Sequence, residues 1–126
     1  MNPSIDVSRS LLVVDDDSGL RQMLCWAFED LGYFTWGVQD LASAFDAVQS
    51  LSFSFALVDF HLPDGDGLSL LRRLRHQVPC LCPVLMSADP IAARGHLRHA
   101  TESVNFFEKP VPIHEIDRLF LRHGVA

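Results

Sequence analysis

Ala56-Leu57-Val58-Asp59-Phe60-His61-Leu62-Pro63-Asp64-Gly65-Asp66-Gly67 is the stretch on which the reading of the fold turns. With Phe55 before it, the apolar run up to Asp59 has the character of a short strand buried on both faces. Asp59 stands at its C-terminal end. Pro63, Gly65 and Gly67 then break the chain into a loop, after which a helix begins. Ligands of open α/β sheets gather at the C-terminal strand ends. The chemistry of Asp59 therefore depends on which other strand ends reach it.

Working outward, the same unit recurs. Residues 11–14 are a continuous apolar run that ends in Asp15-Asp16-Asp17. Asp17 or Ser18 can cap a helix whose stripe is Leu20, Leu24, Ala27, Phe28 and Leu31, and Gly32 stops it. Residues 33–37 read as a second strand. Asp40 caps a second helix with Leu41, Ala44, Phe45 and Val48 facing inward. The third strand, 55–58, leads to a helix capped by Asp66 and packed through Leu68, Leu71, Leu74 and Val78. Pro79 and Pro83 bracket a loop before a fourth strand at 84–86, which ends at Ser87. Asp89-Pro90 is a good helix start, but Gly95 and the polar Arg94, His96, Arg98 and His99 make a weak helix. Residues 104–107 form a fifth strand ending in Glu108-Lys109-Pro110. Pro112 opens a last helix with Ile113, Ile116, Leu119 and Phe120 inward.

Five strand–helix units predict a doubly wound (βα)5 α/β fold, a five-stranded parallel sheet of flavodoxin-like order 2-1-3-4-5. Residues 1–10 read as a lead-in, 11–122 as one domain and 123–126 as a tail. At 126 residues the chain suits one domain, and its 48% hydrophobic and 21% charged residues are those of a globular protein. No apolar run is long enough to span a bilayer, and the first ten residues lack a signal-peptide pattern. The three cysteines suggest no disulfide framework. The expected setting is the cytoplasm, with no membrane partner. A net charge of −6 argues against direct nucleic-acid binding.

In the expected strand order Asp15, Asp16 and Asp59 meet at one edge. Three carboxylates so close cannot all stay ionised without a proton or a cation among them. Hard oxygen ligands on rigid strand ends suit Mg²⁺, or Mn²⁺ in its place. Ser87 and Lys109 reach the same edge as a hydroxyl and a fixed positive charge. Nine of the ten basic residues are arginine, so the single lysine, Lys109, invites a specific role. Such a set suits a phosphoryl group. Neither a G-x-G-x-x-G nor a G-x-x-x-x-G-K-[ST] loop is present. Three aspartates in the first loop would repel a bound phosphate, which favours Asp59 itself as a covalent acceptor.

Asp15-Asp16-Asp17, Asp59 with its Pro63-to-Gly67 loop, Ser87 and Lys109-Pro110, in this order at four strand ends, make the chain similar to the receiver domain of two-component response regulators, of the chemotaxis type. The resemblance runs from about Leu11 to Leu121. It implies that Asp59 is the phosphoacceptor, taking a phosphoryl group from a histidine kinase or histidine phosphotransfer protein. It implies that Asp16 binds Mg²⁺ directly, Asp15 mainly through water, and His61 through its backbone carbonyl. Lys109 would pair with a phosphoryl oxygen, next to a cis Lys109–Pro110 bond. Ser87 would bond the phosphoryl group while Phe106 turns inward, altering the surface of the fourth helix, fifth strand and fifth helix. His61 and Asp89 would tune the phosphoryl lifetime. A downstream output domain or protein, and a phosphorylation-dependent homodimer, are the implied partners. The chain would catalyse its own phosphorylation and dephosphorylation and turn over no metabolite, and so is not expected to be an enzyme.

Several positions depart from the common pattern or have plainer readings. Phe106 replaces a frequent tyrosine and suits simple core packing equally well. Thr101-Glu102-Ser103 replaces the usual small residues. Asp17, Asp64 and Asp66 read as cap and loop residues. Cys80 and Cys82 with His96 and His99 fit no zinc template. Arg72, Arg73, Arg75 and His76 read as a solvated helix face. Trp26, off the buried stripe of the first helix, is expected to pack under a neighbouring helix, or else to contact a phosphodonor. A phosphorylation-independent receiver-like module is the alternative function. An aspartyl-phosphate phosphatase is less favoured, because His61 stands where such enzymes usually carry a second acid. No output domain is evident after Leu121, which leaves a stand-alone receiver or a part of a longer regulator.

Overall fold

The computed structural model of the chain describes residues 9–97 and 104–123. The expected lead-in up to residue 8, Arg98, His99, Thr101-Glu102-Ser103, the last three residues and the side chains of His96 and Leu97 lie outside the described residues. The elements alternate throughout. They are β1 (Ser10–Val14), α1 (Ser18–Asp30), β2 (Phe34–Val38), α2 (Leu41–Ser50), β3 (Phe55–Asp59), α3 (Gly67–Gln77), β4 (Cys82–Ser87), α4 (Pro90–Leu97), β5 (Asn105–Glu108) and α5 (Ile113–His123). All five strands pair in parallel in the order β2-β1-β3-β4-β5, as expected. A two-residue hairpin, His61–Leu62 with Gly65–Asp66, fills the loop after β3.

Because strand side chains alternate, the sheet divides the core in two. Leu12, Val14, Ala56, Val58 and Leu85 pack with Ala44, Leu70, Leu71, Leu74 and Ala93. Leu11, Val13, Phe55, Leu57, Val84 and Met86 pack on the other face with Leu24, Phe28, Ile116 and Phe120. Each fully buried leucine or phenylalanine in such a core stabilises by roughly 1.5–3 kcal/mol. Phe55 stacks on Phe120 at 4.3 Å between centroids, tying α5 to the central strand. Thus α1 and α5 cover one face, and α2, α3 and α4 the other, which leaves the C-terminal strand ends open.

Two expectations need correction. Pro83 was expected in a loop, yet it lies buried within β4, level with Ala56 of β3. The ladder with β5 starts only at Val84, and the Pro83 carbonyl accepts from the Asn105 side chain (3.2 Å). Pro83 therefore sits where its missing N–H leaves no partner of β5 unpaired. Trp26 does not pack under a neighbouring helix. It is 61% exposed, on the far side of α1 from Leu24, Cys25 and Phe28. Smaller shifts occur at β2, which starts after the buried Tyr33, and at β5, one residue later than expected.

Candidate functional site

Strand register brings the candidate residues together. Val14 is level with Val58, so Asp15 and Asp59 emerge side by side. Asp59 is level with Met86, and Ser87 with Glu108, so Ser87 follows Asp59 across the edge and Lys109 closes it. Three further backbone bonds fix this rim: Phe60 N–H to the Met86 carbonyl (2.8 Å), Lys109 N–H to the Ser87 carbonyl (2.9 Å) and Asp15 N–H to the Val38 carbonyl (3.1 Å). The Lys109–Pro110 bond is cis, as expected. Helix α3 begins hard against the rim. A Cβ on Gly67 would run into the Asp59 carbonyl, so only glycine fits there.

Asp15 is wholly buried and Asp59 only 5% exposed, whereas Asp16 is open to solvent. One ligand oxygen from each lies within 4.8 Å of the others. Lys109 Nζ donates to Asp15 Oδ2 (2.8 Å) and Asp59 Oδ2 (3.2 Å). Asp15 Oδ1 accepts from Asp17 N–H (2.9 Å), and Asp59 Oδ1 from His61 N–H (3.3 Å). Burial, and after it the charge of Asp15, push the Asp59 carboxyl above the ordinary carboxylate value despite Lys109 and the His61 amide. Burial works against the Lys109 ammonium, but its bonds and charges with Asp15 and Asp59 outweigh this and raise it. Both partners rise because two buried acids share one ammonium. Three carboxylates against one ammonium leave two negative charges, a hard-oxygen set that fits a divalent cation.

The family profile described as the response regulator receiver domain matches residues 11–119. The chain belongs to that family. Among relatives, this receiver domain is 28% identical over 118 residues to the photosynthetic apparatus regulatory protein RegA of Rhodobacter capsulatus, covering 94% of this chain and 64% of RegA. It is 27% identical over 108 residues to the response regulator receiver protein CpdR of Brucella abortus, covering 86% of this chain and 90% of CpdR. The chain thus spans less than two thirds of RegA and most of CpdR. The signal receiver domain of an HD domain-containing protein from Pseudomonas fluorescens Pf-5 superposes with a TM-score of 0.79 at 26% identity, covering 92% and 93% of the two chains.

Of the remaining candidates, Ser87, Asp89 and His61 lie around the receiver's rim. Ser87 is buried and its hydroxyl is committed to Asp89: it accepts from the Asp89 N–H (2.9 Å) and donates to the Asp89 carbonyl (3.1 Å). Asp89 is exposed, and its carboxylate caps α4 through Ala92 N–H (3.3 Å). His61 is exposed, its ring edge-on to Phe60. Phe106 is half-buried against the α2/α3 core, with the Arg94 guanidinium 5.9 Å from its ring centroid. Cys80 is exposed and Cys82 buried, and among the described residues neither belongs to a group that could hold a metal. Arg72, Arg73 and His76 are exposed, as a solvated helix face requires, and the Arg73 guanidinium also lies over the Phe45 ring at 4.0 Å. Among the described residues no helix is long and apolar enough to cross a membrane.

Two contributors had no local signal. Asp64 caps α2 from another loop, accepting from Leu41 N–H (2.9 Å) and Ala42 N–H (3.1 Å). Arg21 Nη1 donates to the Asp15 carbonyl (2.7 Å). Both partners are set by the fold, since neither is a standard cap or pair at its sequence distance.

Proposed function

We propose that this receiver domain is a phosphorylation-dependent switch in which Asp59 accepts a phosphoryl group from a histidine kinase or phosphotransfer protein. The observation that carries the reading is the Lys109 ammonium shared between buried Asp15 and Asp59 beside exposed Asp16. An Asp59 oxygen attacks phosphorus in line, the P–N bond of the donor phosphohistidine breaks, and the leaving imidazole takes its electron pair and a proton. Lys109 is placed to turn from Asp59 toward a phosphoryl oxygen while Asp15 keeps hold of it. Asp15, Asp16, Asp59 and the His61 backbone carbonyl would hold Mg²⁺ or Mn²⁺, which neutralises phosphoryl charge. Water later cleaves the acyl phosphate, at a rate tuned by His61 and Asp89. The chain turns over no metabolite.

For output, the Ser87 hydroxyl exchanges Asp89 for the phosphoryl group, and Phe106 follows inward. The altered surface of α4, β5 and α5 is then read by an output domain or protein, or by a second phosphorylated copy. The cytoplasm is the setting such a phosphorelay requires. Intact mass after incubation with acetyl phosphate tests this. One added phosphoryl group is expected in wild type, dependent on Mg²⁺ and absent in Asp59→Asn. If no adduct forms and beryllofluoride leaves tryptophan fluorescence and amide shifts unchanged, the phosphorylation-independent module is the better reading.

A further inference from the structure

Every polar atom of Asp15 has a partner. Its N–H goes to Val38, its two carboxylate oxygens accept from Asp17 and Lys109, and its carbonyl accepts from Arg21. Asp16 is the opposite case. Its carboxylate is exposed and has no hydrogen-bond partner among the described residues, so the backbone is the handle by which the fold can orient it. The Asp15 carbonyl belongs to the peptide that joins Asp15 to Asp16. Arg21 therefore holds the plane from which the Asp16 side chain departs.

The reach of Arg21 is itself supported. Its stem lies across Gly37 of the edge strand β2, where a Cβ would come within 3.1 Å of Arg21 Cγ and 3.3 Å of Cδ, and within 3.2 Å of Cys25 Sγ. Its own N–H is fixed in the first turn of α1 by the Asp17 carbonyl (2.9 Å). From that base the guanidinium spans the α1–β2 cleft to the rim.

We propose that Arg21, seated on Gly37, is a positioning residue that orients Asp16 for the divalent cation by clamping the Asp15–Asp16 peptide. This deepens the function proposed above and rests on its cation site. The sign of the effect separates positioning from simple charge. A cation beside three carboxylates repels Mg²⁺, so a bare charge effect would make Mg²⁺ bind more tightly once Arg21 is removed. A positioning effect makes it bind more weakly, because partners that orient metal ligands typically matter about tenfold or more in affinity.

Calorimetric titration of Mg²⁺ into wild type, Arg21→Ala, Arg21→Lys and Gly37→Val, with thermal melts to confirm folding, tests the proposal. The expected result is a dissociation constant about tenfold higher for Arg21→Ala, largely restored by the lysine, which can still donate to the Asp15 carbonyl. Gly37→Val should weaken binding with the charge retained, since valine suits an edge strand but displaces the arginine stem. Equal or tighter Mg²⁺ binding by Arg21→Ala overturns the proposal. Should that variant not fold, an unchanged constant in Gly37→Val overturns it. No Mg²⁺ binding by wild type would overturn the cation-site reading and the proposal with it.

Discussion

At the residue scale, the unusual feature is Asp59, a carboxylate held beside Asp15 with a single ammonium between them. Burial first, then Asp15, raise its pKa above the ordinary value. A group that binds its proton more tightly when folded favours the fold while protonated. That advantage is present below the unfolded pKa and is lost as pH rises through the folded one. Ionised Asp59 therefore costs stability at neutral pH. Asp59→Asn should be more stable than wild type at pH 7 without divalent ions, by on the order of 1 kcal/mol, and the difference should close at acidic pH. Urea midpoints at both pH values check this; a mutant no more stable at pH 7 would contradict it. The acid cluster, Ser87 and Lys109 were legible in the sequence because each stands at a strand end, where neighbouring strands fix the meeting point. Arg21 was not, because its partner is a backbone carbonyl.

At the element scale, the α2 N-terminus is capped twice. Asp40 accepts from Ser43 N–H (2.8 Å), as its position before the helix suggests. Asp64 takes the Leu41 and Ala42 amides from 23 and 22 residues away. This second cap ties the loop after Asp59 to α2, so the loop beside Asp59 is anchored to a helix. Replacing Asp64 with Ala should cost about 1 kcal/mol and speed hydrogen exchange at Leu41 and Ala42. Unchanged exchange at those amides would show that Asp40 suffices. The elements themselves were legible because buried parallel strands are apolar runs and the helices carry apolar stripes. Pro83 misled because a proline normally marks a break, and only the register with β5 shows where its absent N–H does no harm. Trp26 misled for a related reason: an aromatic is expected to find cover, and among the described residues no element lies over that face of α1.

At the scale of the whole molecule, the proposed switch needs a route from Asp59 to the α4–β5–α5 surface, and Ser87 occupies its narrowest point. The hydroxyl is closed on Asp89, which caps α4, while β5 is attached to the Ser87 carbonyl through Lys109 N–H. A phosphoryl group that draws the hydroxyl away from Asp89 loosens the start of α4 and disturbs the Arg94 contact over Phe106. A ligand shifts such an equilibrium only through contacts that differ between the two states, and here the differing contact is the serine hydroxyl. Beryllofluoride with Mg²⁺ should therefore move amide resonances from Asp59 through α4 and β5 in wild type. In Ser87→Ala the shifts should stay near Asp59, although the acceptor still binds the analogue. If resonances of α4 and Phe106 moved as far in Ser87→Ala as in wild type, the signal would have to leave the site through Lys109 and β5, and the hydroxyl would have no part in carrying it.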